Sequence, residues 1–227
     1  IACGNDGLFQ FNWGTPSGNG VSREFTGETG NNITYSNAST GGTGDFTFEI
    51  FVNLDTVSSN QTLATMGDTS VRYSAVGNEV QLYNPNGAKA FANSTLVADN
   101  TFDHLAVVRN GADVKLFVNG SQADAGTMDK SITGDVVIGS KADGNEPVNG
   151  TMYGLRVARE QIYTSTFAPP TTALVETPNT DLLTLQTAVL PPAKNGASPT
   201  ITGTIPTASA NPIVSGGNVQ SQASTFT

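Results

Sequence analysis

The sequence predicts an all-β fold of two packed antiparallel sheets, and three observations carry that expectation. The 227 residues are rich in Gly, Thr, Ser, Asn and Val and poor in Lys, Arg and Glu, a balance that disfavours helices and favours short strands joined by turns. Asp45–Leu54 alternates with period 2: Phe46, Phe48, Ile50, Val52 and Leu54 fall on one face, Asp45, Thr47, Glu49 and Asn53 on the other. Apolar runs bounded by Gly, Asn or Asp then recur at short intervals as far as Ala158, the spacing of a sandwich or barrel.

The elements follow in chain order. Residues 1–20 hold one apolar patch, Leu8–Trp13, then a Gly/Pro/Ser/Asn-rich turn, and read as a leading strand or an arm packing on a neighbour. Arg23–Thr26 and Asn32–Tyr35 are short strands. Asp45–Leu54 is a half-buried one, and Phe51, breaking its polar face, implies that this face is partly covered. Gln61–Met66, Val71–Ala75, Glu79–Tyr83 and Lys89–Ala92 follow. Two apolar runs, Leu105–Val108 and Val114–Val118, flank Asn110-Gly111-Ala112-Asp113. Because Asn-Gly tolerates positive φ at both turn positions, they form the central hairpin, and Asn119-Gly120-Ser121 ends its second arm. Val136–Gly139 and Asn149–Ala158 complete the strands, and Arg159–Tyr163 suggests a helical turn.

Composition shifts at Phe167-Ala168-Pro169-Pro170. Eight prolines occur from Pro169 onward, and after a last strand at Leu182–Leu185 apolar residues thin out. The domain is therefore bounded at 21–190. Residues 191–227 read as an extended arm lying on its own domain or on another subunit; about 35 residues reach roughly 120 Å when extended.

Taken together, Gly44–Asn53, Phe102–Arg109 with Leu116–Gly120, Val137–Gly139 and Asn149–Val157 resemble, in order, the core strands of concanavalin A-like, laminin-G-like jelly rolls. Ile162–Pro170 and Leu182–Gln186 are similar to the ending of copies of this domain in tailed-phage and marine-virus structural proteins. The resemblance implies a two-sheet jelly-roll sandwich. It leaves function open among lectins, glycanases, adhesins and coat components.

Composition narrows that choice. Nineteen acidic against ten basic residues give a net charge of −9, which repels phosphate backbones and anionic lipid, so neither nucleic acid nor a membrane is an expected partner. The single Cys3 forms no internal disulfide, and Ile1 in place of Met implies an upstream start or processing. A retaining glycanase needs two carboxyls about 5–5.5 Å apart, whereas Asp45 and Glu49 are separated by roughly 13 Å along a strand. His104, the sole histidine, lacks recognisable catalytic or zinc partners and reads as the start of a hairpin strand. No cofactor is expected. Calcium is the one ion considered, at Asp143-Gly144-Asn145-Glu146 and Gly67-Asp68, where oxygen-rich loops fit a hard cation and ordinary turns alike. Tyr73, Tyr83 and Trp13 are the candidate sugar-stacking platforms, and Asn93-Ser94-Thr95 and Asn149-Gly150-Thr151 are chance sequons.

The expectation is a non-catalytic virion protein of a tailed phage, exposed on the particle as capsid decoration or fibre component. Its partners would be other virion proteins and copies of itself, with Phe9, Phe11 and Trp13 as anchors. The alternative is a glycan-binding adhesin that attaches to the host surface.

Overall fold

The computed structural model describes residues 20–83, 101–208 and 210–213, and the backbone of 89–93. The strands are β1 (Ser22–Thr26), β2 (Asn32–Ser39), β3 (Phe46–Leu54), β4 (Gln61–Met66), β5 (Thr69–Ser74), β6 (Glu79–Tyr83), β7 (Lys89–Asn93) and β8 (Asp103–Asn110). They continue with β9 (Asp113–Val118), β10 (Ser121–Thr127), β11 (Gly134–Ile138), β12 (Asn149–Ala158), β13 (Thr180–Thr184), β14 (Thr200–Thr202) and β15 (Thr207–Ala208). One sheet runs β10-β9-β8-β3-β12-β1-β15, with β13 also paired to β12; the other runs β14-β2-β11-β4-β5-β6-β7. The fold is a two-sheet, antiparallel jelly-roll sandwich, and no helix occurs among the described residues.

Alternation along β3 builds the core. Phe46, Phe48, Ile50, Val52 and Leu54 are fully buried between the sheets and meet Ile33, Tyr35, Met66, Val71 and Tyr73 from the facing one. Each such side chain contributes about 1.5–3 kcal/mol by leaving water. Leu105, Val107, Val114 and Leu116 of the central hairpin point into the same core, while Ala106, Val108 and Phe117 point outward.

The hairpin turn differs from expectation by one position. Asn110 pairs with Asp113, so Gly111-Ala112 occupy the corner and only Gly111 has positive φ. The two-residue turn with both φ values positive lies at Asn119-Gly120, between β9 and β10. No helical turn forms at Arg159–Tyr163. The Thr47 hydroxyl instead donates to the Glu160 carbonyl (2.7 Å) and accepts the Ile162 N–H (3.0 Å), which draws the chain flat onto the outer face of β3.

This strap crosses the outside of the first sheet. Its Tyr163 and Phe167 rings stack at 3.6 Å and cover Ala106, Val108 and Phe117. Lys115 Nζ donates to the Thr164 carbonyl at 3.3 Å, and the Phe167 N–H donates to the Gly120 carbonyl at 2.9 Å. Gly120 has φ +78°, and a Cβ there would fall 1.8 Å from the Phe167 carbonyl oxygen. Gly120→Ala is therefore expected to lose about 1–3 kcal/mol through the backbone conformation alone. It should also lift the strap, seen as faster hydrogen exchange at the Phe167 amide.

Residues 191–208 and 210–213 lie along the sandwich. β14 pairs with β2, the chain crosses the open side with Ile205 buried in the core, and β15 pairs with β1. Asn211 Nδ2 then donates to the Gly20 carbonyl at 2.8 Å, so the two ends of the described domain leave from one edge. At the opposite edge β10 lies beside β7. Cys3, Phe9, Phe11, Trp13, Asn93-Ser94-Thr95 and the last residues of the expected arm fall outside the described side chains.

Candidate functional site

Two polar clusters sit on the outer faces of the sandwich, one sealed around Glu49 and one slightly exposed around Arg72 and Glu146. The sealed one centres on Glu49, fully buried on β3. Its Oε2 accepts from Tyr163 OH (2.7 Å) and from His104 Nε2 (3.1 Å), and its Oε1 accepts from Arg156 Nε (2.5 Å) and Nη2. Arg156 reaches this position because of a bulge. β12 carries one extra residue between Tyr153 and Arg156, at Gly154 with φ +63°. Without it Arg156 would point into the core, since a one-residue slip exchanges the faces. Burial pushes the Glu49 carboxyl upward, but the His104 hydrogen bond, the Arg156 charge and the Tyr163 hydroxyl outweigh it and hold the group below the usual carboxylate range. The ionised Glu49 only accepts, so His104 donates through Nε2; its Nδ1 is buried without a partner among the described residues. Burial first, then the Glu49 carboxylate, pushes the Tyr163 hydroxyl far up. Arg156 Nη1 also donates to the Val175 carbonyl at 2.8 Å. The cluster pins the strap to the sheet and is closed to solvent.

The second cluster lies on the outer face of β4, β5 and β6, with Gln81 buried and the Arg72 and Glu146 side chains 12% and 16% exposed. Val71 and Tyr73 point into the core, so Arg72 points out; Val80 and Leu82 point in, so Gln81 and Tyr83 point out. Arg72 Nε donates to Gln81 Oε1 (2.9 Å), its Nη1 donates to Glu146 Oε1 (3.2 Å), and its guanidinium lies 4.0 Å above the Tyr83 ring. Glu146 comes from the β11–β12 loop, which is anchored on β4 where the Thr62 N–H donates to the Glu146 carbonyl at 2.8 Å. Its carboxylate also accepts from Lys141 Nζ (2.6 Å) and the Thr62 hydroxyl (3.0 Å). Burial raises the Glu146 carboxyl, but these donors and the Arg72 charge prevail and hold it below its ordinary value. Arg72 is thus fixed by three contacts, and Tyr83 is half-buried.

These positions settle several expectations. Tyr73 is not a platform: it is 1% exposed, and its hydroxyl bonds to Val57 O and Asn78 Oδ1. Its place two residues from Val71 on an alternating strand is the signal that separates it from Tyr83. Asp45 accepts the Gly111 N–H at 2.8 Å, and Glu49 is locked in the sealed cluster, so the two carboxylates serve different structural contacts. His104 lies at the start of β8 as expected, one residue after Asp103, but as part of the Glu49 cluster. In the loop 143–146, Asp143 binds the Asn145 N–H and side-chain amide while Glu146 turns away to its two cations. Among the described residues no three His, Cys, Asp or Glu side chains gather as a metal site. Sequence reasoning missed Arg72, Gln81 and Lys141; their strand alternation gave the faces, but the loop that brings Glu146 and Lys141 to Arg72 left no local signal.

The chain belongs to the concanavalin A-like lectin/glucanases superfamily, whose family model matches residues 26–162. Among solved structures it is similar to a heptameric SAP-like pentraxin from Limulus polyphemus (TM-score 0.60, 13% identity, 83% of this chain and 94% of that one). It is similar also to a candidate carbohydrate binding protein from Bacteroides ovatus (TM-score 0.57, 16% identity), covering 83% of this chain and 60% of that longer one. A third likeness is to domain 4 of an extracellular arabinanase from Geobacillus stearothermophilus, solved with arabinotriose (TM-score 0.52, 12% identity, 63% and 72% covered). At these identities the likeness is one of fold. A search of curated protein sequences finds no match.

Proposed function

We propose that the chain is a non-catalytic, glycan-binding jelly roll displayed on the exterior of a tailed-phage particle, as capsid decoration or as a fibre component. The observation that carries the reading is a division of labour. The chain enters and leaves the sandwich at the β1/β15 edge, while the ordered Arg72–Tyr83–Glu146 cluster lies toward the other edge, on the outer face of β5 and β6. A module tethered at one side and polar at the other suits display, with arms held by virion proteins or by copies of the chain. The carbohydrate-binding relatives and the phage-like strap sequence support this reading. The sealing of Glu49 argues against a glycanase centred on β3.

Immunogold electron microscopy of intact particles tests the virion half. Label at regular capsid positions or along fibres is expected, and particles that bear no label overturn it. Glycan binding is tested with the full chain by calorimetry. Tyr83→Ala is expected to weaken binding at least tenfold while leaving the unfolding midpoint within about 0.5 kcal/mol of the parent, as for a surface change.

A further inference from the structure

We propose that Asn110-Gly111, at the tip of the central hairpin, is a site of spontaneous covalent modification. The Asn110 side-chain amide converts through a succinimide to aspartate or isoaspartate.

The chain contains six Asn-Gly steps, and four of them lie wholly within the described side chains: 110–111, 119–120, 149–150 and 195–196. The structure separates the first from the other three. The Asn119 amide is held at both ends, its Oδ1 accepting the His104 N–H (2.9 Å) and its Nδ2 donating to Asp103 Oδ1 (2.6 Å), and Gly120 is buried. Asn149 and Gly150 lie inside β12, paired with β1 on one side and β3 on the other, and a Cβ on Gly150 would fall 2.2 Å from the Asn53 carbonyl oxygen. Asn195 donates to the Ser36 and Asn37 carbonyls and accepts the Ala197 N–H, while the Gly196 N–H is spent on the Ala193 carbonyl.

At the hairpin tip the arrangement is reversed: the nucleophile is held and the amide is loose. Asn110, Gly111, Ala112 and Asp113 are all exposed. The Asn110 side chain has one hydrogen bond, from Nδ2 to Gln161 Oε1 (2.9 Å), itself at the surface. Gly111 is fixed at both of its polar atoms, its N–H donating to Asp45 Oδ1 (2.8 Å) and its carbonyl accepting from Arg109 Nε (2.6 Å). A Cβ on Gly111 would meet nothing within 4 Å, so the ring has room to close. Holding one reactant beside the other is the main source of such intramolecular rates.

The step balances within the chain and water. Gly111 N bonds to Asn110 Cγ and gives its proton to the Asp45 carboxylate, which already accepts it as a hydrogen bond. The Cγ–Nδ2 bond breaks, the departing nitrogen takes that proton, and ammonia leaves. Water then opens either carbonyl of the ring. The product places a new carboxylate between Asp45, which binds the next residue, and Asp113, which pairs with position 110. Like charges facing each other across a strand pair weaken it, so the tip loosens as the protein ages.

The test is storage of the full chain at neutral pH, read by peptide mass spectrometry. In the folded protein Asn110 is expected to convert at least tenfold faster than Asn119, Asn149 and Asn195, and in denaturant the four rates should converge. A folded-state rate at Asn110 no higher than at the other three overturns the proposal. Asp45→Asn should slow conversion at Asn110 at least threefold, and an unchanged or faster rate removes Asp45 from the step. Asn110→Asp supplies the charge of the product directly and should speed hydrogen exchange at the Gly111 amide. Exchange at the parent's rate would show that the tip does not loosen.

Discussion

Glu49→Ala is expected to destabilise the protein by about 3–5 kcal/mol, the usual effect of removing one partner from a buried ion pair. Against a total stability of roughly 5–15 kcal/mol for a domain, that is a large share. The loss does not come from one contact. Arg156, with a side chain only 7% exposed, would keep its charge without a counter-ion, and Tyr163 and His104 would lose their acceptor. Glu49→Gln preserves shape and should be milder. The double variant Glu49→Ala/Arg156→Met should be less destabilised than the sum of the single changes, because it no longer buries a lone charge. Denaturant midpoints measure all of these. A loss within about 0.5 kcal/mol for Glu49→Ala would show that the strap is held by its stacked aromatics and backbone contacts without the Glu49 cluster.

The same carboxylate sets an acid limit. The folded-state values of Glu49 and Glu146 lie below the ordinary 4.5, so the unfolded chain takes up protons first as pH falls. Their contribution is complete above that value and is lost as pH drops through the depressed folded values. The midpoint of thermal unfolding is therefore expected to be flat from neutral pH to about 5 and to fall at more acidic pH. In Glu49→Gln the acid slope should be shallower. A variant with the parent's acid slope would assign the sensitivity to other carboxylates.

Much of this architecture is legible in the sequence because side-chain alternation survives wherever one face of a strand is buried. β3, β4, β6 and β12 lie where the pattern places them, and the intrusion of Phe51 on the polar face does mark a covered surface: Phe51 packs with Tyr153 and Ile213. β10, β14 and β15 left no pattern, since Ser121–Thr127 and Thr200–Thr202 are edge strands whose exposed polar residues lack an apolar period. Glu49 illustrates the other limit. Its strand and face follow from Asp45–Leu54, but its partners come from β8, β12 and the strap, and the Arg156 contact depends on a one-residue bulge at Gly154. Pairings of that range are set by topology, not by neighbouring residues.

The second large effect concerns the chain beyond β13. If residues 191–227, the extended arm beyond the 21–190 domain, lay only on another subunit, they would be dispensable for folding, and a chain ending at Val189 would keep the parent's stability. The strand pairing argues for the opposite result. Such a chain lacks β14 and β15, which cover the outer edges of β2 and β1, and lacks buried Ala193, Ile205 and Ile213. Two isoleucines removed from buried sites forfeit about 1.5–3 kcal/mol each. Their loss also uncovers Tyr153 beneath Ile213 and frees the hydrogen-bond edges of two strands, surfaces that promote edge-to-edge association. Truncation after Val189 is thus expected to remove roughly 5 kcal/mol or more, enough to unfold a marginal domain or drive it into aggregates. Circular dichroism melting and size-exclusion chromatography of the truncated chain decide the matter. A monomer melting with the parent would mean that β14 and β15 are borrowed contacts, free to be exchanged with a neighbouring subunit; aggregation or early melting would make them part of the domain, so that any reach toward a neighbour must begin beyond Ile213.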